Sequence, residues 1–116
     1  MNFQNTLFSM PLMVGLVFVL VAFITLKFPP KKINMLYGYR TKSAMKSQER
    51  WNFAQRYSSK LMLYCGFGLI ILAVLGLIFN VSEGIGVLIS TILMIIAIVI
   101  LLVKTEKAIK QNFIND

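Results

Sequence analysis

Three uninterrupted apolar runs, over residues 7–26, 61–79 and 85–103, limit this chain more than any other feature of its sequence. None of them contains Asp, Glu, Lys or Arg. About 20 apolar residues, rising about 1.5 Å each, make a helix that crosses a hydrocarbon core about 30 Å thick. The chain has 116 residues, of which 58% are hydrophobic and 14% charged. That length and balance predict one all-α membrane domain over residues 1–116, with three transmembrane helices.

The first run does not resemble a cleaved signal peptide. No Lys or Arg precedes it, its apolar stretch is longer than a usual signal core, and it lacks a small-x-small cleavage site. Pro11 falls in its first turns, where a missing N–H costs little. Phe28-Pro29-Pro30 ends it, because a residue before proline is pushed out of helical angles. Asn80, Val81, Ser82, Glu83 and Gly84 join the other two runs, so those helices should form an antiparallel hairpin.

Basic residues are distributed one-sidedly. The connection over 27–60 holds Lys27, Lys31, Lys32, Arg40, Lys42, Lys46, Arg50, Arg56 and Lys60, and the tail over 104–116 holds Lys104, Lys107 and Lys110. With three crossings, these segments share a side, which therefore carries all 12 Lys and Arg residues. Positively charged loops are retained in the cytoplasm. The expected topology has the N-terminus outside, a basic cytoplasmic loop with an interfacial helix between the first and second spans, and a cytoplasmic C-terminus. The net charge of +8 then reads as attraction to an anionic leaflet. No zinc-finger, winged-helix or stacking pattern points to nucleic acid.

Residue types narrow the chemistry further. The sequence has no histidine, one cysteine (Cys65) and four acids: Glu49, Glu83, Glu106 and Asp116. A histidine-based triad or histidine-ligated metal cannot be built from it, and an internal disulfide needs a second cysteine. Neither a catalytic residue nor a cofactor or metal site is expected.

Asn34 to Trp51, NMLYGYRTKSAMKSQERW, is a polar cassette in an oily chain. Gly38 allows backbone angles that its neighbours avoid. Thr41 or Ser43 is placed to cap a helix running from about Ala44 into the second span. On that helix Lys46, Glu49, Arg50, Arg56 and Lys60 share one arc, expected to face water. Ala44, Ser47, Trp51, Ala54 and Ser58 share another. This second face suits either packing, with Trp51 at headgroup depth, or a docking surface. A guanidinium beside two aromatic rings, as in Tyr37, Tyr39 and Arg40, suits a phosphate, carboxylate or peptide carbonyl. Interfacial tyrosines are equally membrane anchors, and both readings stay open at this point.

The pattern Asn34-x-x-Tyr37-Gly38-Tyr39-Arg40-Thr41, then Ser43-x-Met45-Lys46, then Trp51-x-x-Ala54 resembles the signature of the SdpI family. These are small bacterial integral membrane proteins named for immunity to a secreted killing peptide. The likeness in order and spacing runs from Pro29 to about Lys60, and the hydrophobic layout agrees to about Val103. Larger members carry additional N-terminal spans. The resemblance implies a bacterial inner-membrane location and an immunity-like role toward a peptide toxin. It implicates Asn34, Tyr37, Gly38, Arg40, Thr41 and Trp51 in partner binding, with Arg56 beside them; Tyr39 joins them on its chemistry.

Three function classes follow. An immunity protein would bind a membrane-partitioned peptide, or its target, through close helix packing. Small-residue seams are available at Gly15 and Ala22, at Gly66 and Ala73, and at Gly86, Ser90 and Ala97, although such positions also serve internal packing. A membrane-anchored adaptor would use the basic cassette to capture a protein partner or anionic headgroups. A transporter subunit usually needs an ionisable side chain within the membrane, and the runs have none. A homo-oligomer of the three-helix unit is compatible with each class.

Overall fold

A computed structural model of the chain describes residues 5–34 and 37–113. It consists of α1 (Thr6–Lys27), a short α2 (Lys42–Met45), α3 (Gln48–Gly76) and α4 (Glu83–Asn112), with no strand among the described residues. Helices α1, α3 and α4 are each long and apolar enough to cross a membrane.

Each helix start has a sequence cause. Asn5 caps α1 by accepting from the Leu7 N–H at 2.9 Å, and Ser82 caps α4 by accepting from Ile85 N. Both use a short side-chain oxygen to satisfy an amide that has no helical partner. The expected single helix from Ala44 into the second span is instead two helices. Thr41 caps α2 through Ala44 N, the chain leaves the helix at Lys46, and Ser47 caps α3 through Arg50 N at 3.1 Å. Ser47 at φ −152° and ψ 162° is extended, so a residue assigned to the small face of a continuous helix is the joint between two. Serine bonds the backbone beyond it as readily as it continues a helix.

The seams on the three long helices are internal. Gly15, Ala22, Gly66, Ala73, Gly86, Ser90 and Ala97 are all buried. The backbones of α1 and α3 touch at one crossing, where a Cβ on Gly15 would stand 2.7 Å from the Gly66 carbonyl oxygen. A second approach lies near the loop that joins α3 to α4. The Leu7 carbonyl faces Gly76, where an added Cβ would stand 2.6 Å from it. The in-helix donor for that carbonyl would come from residue 11, a proline without an N–H. Asn5 ties the same end together, its Nδ2 donating to Gly76 O at 3.1 Å and to Phe79 O at 2.8 Å. Ser90 Oγ donates to Thr6 O at 3.1 Å, so α4 runs alongside α1 from the same end. Large apolar side chains such as Leu20, Ile71, Ile78, Leu88 and Val103 cover the outside, as expected where lipid is the solvent.

At the opposite end the cassette folds onto the bundle. Arg50 Nη2 donates to the Phe113 carbonyl at 3.2 Å, and the guanidinium lies 5.7 Å from the Phe113 ring centroid. The basic connection and the end of α4 therefore meet on one side. The long axis measures 51 Å, well beyond a core about 30 Å thick, so the cassette end projects out of the apolar layer.

Candidate functional site at the basic end of the bundle

The segment after Pro29-Pro30 is held by its own polar groups. Asn34 shapes the first turn, its Oδ1 accepting from Tyr37 N at 2.7 Å and its Nδ2 donating to Lys32 O at 2.9 Å. Residues 35 and 36, inside the motif, lie outside the described residues. The Tyr37 hydroxyl donates to Phe28 O at 2.7 Å, which ties the segment back to the end of α1.

Gly38 follows at φ 98°, the only positive-φ glycine among the described residues. A side chain there would be strained by the backbone and would overlap Gln55 Oε1 and Pro30. This close approach lets the amide of Gln55 reach the backbone of Tyr39. Gln55 Oε1 accepts from Tyr39 N at 2.6 Å, and Nε2 donates to Tyr39 O at 2.7 Å. Gln55 is buried, so it satisfies both polar groups where water is excluded.

Trp51 lies under this segment with no exposed surface, its Nε1 donating to Pro30 O at 2.6 Å. Of the two readings of this face, burial favours packing over docking: the indole is a buried strut that holds the proline turn. Ala44, Ala54 and Ile109 form a small core beneath Tyr39, Phe53 and Phe113. Arg50, expected on the water-facing arc, is buried. Its Nη1 donates to the Ser43 carbonyl and hydroxyl at 3.2 and 3.1 Å. Several hydrogen bonds to a planar guanidinium make that burial tolerable.

Two hollows flank Gln55. One, of about 200 Å³, is bounded by the cassette and all three long helices. Its polar rim includes Tyr37, Gly38, Tyr39, Gln55, Ser58 and Ser59, with Val21, Met62 and Leu101 on the apolar side. Thr25 Oγ1 and Ser59 Oγ lie 2.6 Å apart in its wall. The other, of about 750 Å³, lies between the end of α1 and α3 and carries Lys31, Lys32, Arg56 and Lys60. Of the residues singled out by sequence, Tyr37, Gly38 and Tyr39 wall the first hollow and Arg56 the second. Asn34 and Thr41 hold the loop, Trp51 supports it from inside, and Arg40 is exposed.

The electrostatics are most distinctive at Tyr39. Burial, then the neighbouring Glu106 carboxylate, push its phenol up to about 12. Thr105 Oγ1, next to Glu106 in the chain, is buried without a hydrogen-bond partner among the described residues.

The SdpI/YfhL protein family matches residues 31–104, which include the cassette and reach the end of the third apolar run. The chain belongs to the SdpI/YfhL protein family. The uncharacterized protein YfhL of Bacillus subtilis (strain 168) is 42% identical over 102 residues, covering 84% of this chain and 87% of that protein. No solved structure matches the chain. Family membership and three apolar helices make this SdpI/YfhL member a multi-pass membrane protein. Sequence reasoning missed Gln55, Pro30 and the Thr25–Ser59 contact. Gln55 had a usable signal: it lies four residues after Trp51, an amide on the buried face of the helix.

Proposed function

We propose that this protein is an immunity-type membrane protein, protecting the cell membrane from a secreted antibacterial peptide by binding it or its target. The observation that carries this reading is the 200 Å³ hollow beneath the motif segment. It joins a hydrogen-bonding rim to an apolar wall at the edge of the membrane layer, so it suits an amphipathic peptide side chain arriving from lipid. The buried small-residue seams are occupied by the protein's own helices, so binding falls to the hollow and not to helix insertion. Tyr37 and Tyr39 form part of its wall beside Gln55. Arg40, exposed beside them, offers a partner for a peptide carbonyl or carboxylate.

The basic end faces the cytoplasm in this reading, with the N-terminus outside. Its support is the placement of all 12 basic residues on one side. A membrane-impermeant maleimide applied to intact cells tests it on Tyr39→Cys in a Cys65→Ser background. Tyr39→Cys should label only after permeabilisation, and labelling of intact cells would reverse the topology.

The functional test is protection. Cells lacking the gene, exposed to secreted material from sibling and competitor strains, should lose membrane potential where complemented cells keep it. Filling the hollow with Ser58→Phe should abolish protection while the protein still accumulates in the membrane. Equal depolarisation with and without the gene across a broad panel would favour a membrane-anchored adaptor instead.

A further inference from the structure

The larger hollow has a different character from the one beneath the motif. Residues 48, 52, 56 and 60 of α3 follow a four-residue spacing, so Gln48, Asn52, Arg56 and Lys60 form one row along the helix. The facing wall is the last turn of α1 with Pro29, Pro30, Lys31 and Lys32. Gln48 Nε2 donates to Lys31 O at 2.5 Å and to Asn52 Oδ1 at 2.8 Å, closing one end of the cleft and fixing Lys31 opposite the row. Four cations thus line about 750 Å³, and no carboxylate lines it among the described residues. Four like charges around one hollow repel one another, and an anion between them removes that cost.

We propose that this cleft binds the phosphodiester headgroup of an anionic phospholipid, held by Lys31, Lys32, Arg56 and Lys60. A soluble phosphate would satisfy the same cations. The choice of lipid rests on where the cleft begins. Leu26 and Pro29 form part of its wall where the apolar run of α1 ends, and Lys60 directly precedes the second run, so the cleft joins an apolar wall to cations at the edge of the apolar layer. A phospholipid has that polarity along its length, and a free phosphate does not. The four cations lie outside the hollow that carries the immunity reading, although the two hollows share Thr25 and Gln55, and the proposal does not depend on that reading.

The test uses the full chain purified in detergent, with lipid retention followed by native mass spectrometry. Phosphatidylglycerol should remain bound in preference to phosphatidylcholine, at about one lipid per chain. Each charge near an anionic surface contributes about fivefold in affinity, so Lys31→Gln with Arg56→Gln and Lys60→Gln should weaken retention on the order of a hundredfold. The control Lys104→Gln with Lys107→Gln and Lys110→Gln removes the same charge from the tail and should retain the lipid. Lys31→Arg with Lys60→Arg should also retain it, which separates loss of the site from loss of the fold. Equal weakening in the cleft and tail variants, or no preference for phosphatidylglycerol, would overturn the proposal. Displacement of the lipid by equimolar inorganic phosphate would reassign the cleft to a soluble anion.

Discussion

Gln55 holds Tyr39 by both of its backbone polar groups, through contacts of 2.6 and 2.7 Å from a single side-chain amide. One residue of a membrane helix thereby supplies a loop with the pairing that a neighbouring strand would give. The motif segment keeps its shape because this amide reaches it, and the amide reaches it because Gly38 has no side chain.

Removing the amide should therefore loosen the cassette while leaving the three helices intact. Gln55→Leu leaves a buried N–H and C=O without partners, a loss of about 1–3 kcal/mol. Thermal unfolding in detergent should shift down with little change in helical signal at low temperature. An unchanged midpoint would show that water replaces the amide without penalty.

Two glycines should respond in opposite ways to the same substitution. Gly38→Ala places a methyl against Gln55 and Pro30 at a backbone angle that side chains rarely adopt. It should cost about 1–3 kcal/mol. Gly68→Ala on α3 meets nothing within 4 Å and should be neutral or stabilising, by up to about 1 kcal/mol. Comparing their unfolding midpoints checks the pair; equal effects would contradict the close approach at Gly38.

Trp51 is the only tryptophan in the chain, so its fluorescence reports on one place. A fully buried indole should emit toward the blue and resist quenching by iodide in detergent micelles. Trp51→Phe should release the Pro30 carbonyl, at a cost of about 1–3 kcal/mol. Ready iodide quenching of the wild-type protein would return Trp51 to the surface.

Alkaline titration should single out Tyr39. Its folded value, about 12, lies above the ordinary value of 10.0, so folding favours the neutral phenol. That contribution to stability is complete below pH 10, declines through the window between the two values and is lost above the folded one. The ultraviolet phenolate signal near pH 12 should disappear in Tyr39→Phe. In Glu106→Gln it should move to lower pH without reaching the ordinary value, because burial is the larger cause. No change in Glu106→Gln would remove the carboxylate from the neighbourhood of Tyr39.

Sequence alone determined the parts that depend on composition over a span of residues. Three uncharged apolar runs dictate three helices in any bilayer-like solvent, and the spacing of Asn34, Tyr37, Gly38 and Thr41 marked the cassette. The positions of Arg50, Trp51 and Ser47 were decided only by tertiary structure. A helical wheel assumes an unbroken helix with water on its charged side, but the helix breaks at Ser47, and the end of α4 covers Arg50. The Gln55–Tyr39 pairing also joins residues 16 apart in sequence, through a loop whose path depends on a positive φ and a proline turn. Hydrophobic periodicity records which way each residue points along its own segment. Which groups then meet is settled by packing, where volume and hydrogen-bond satisfaction act between segments that carry no local sign of one another.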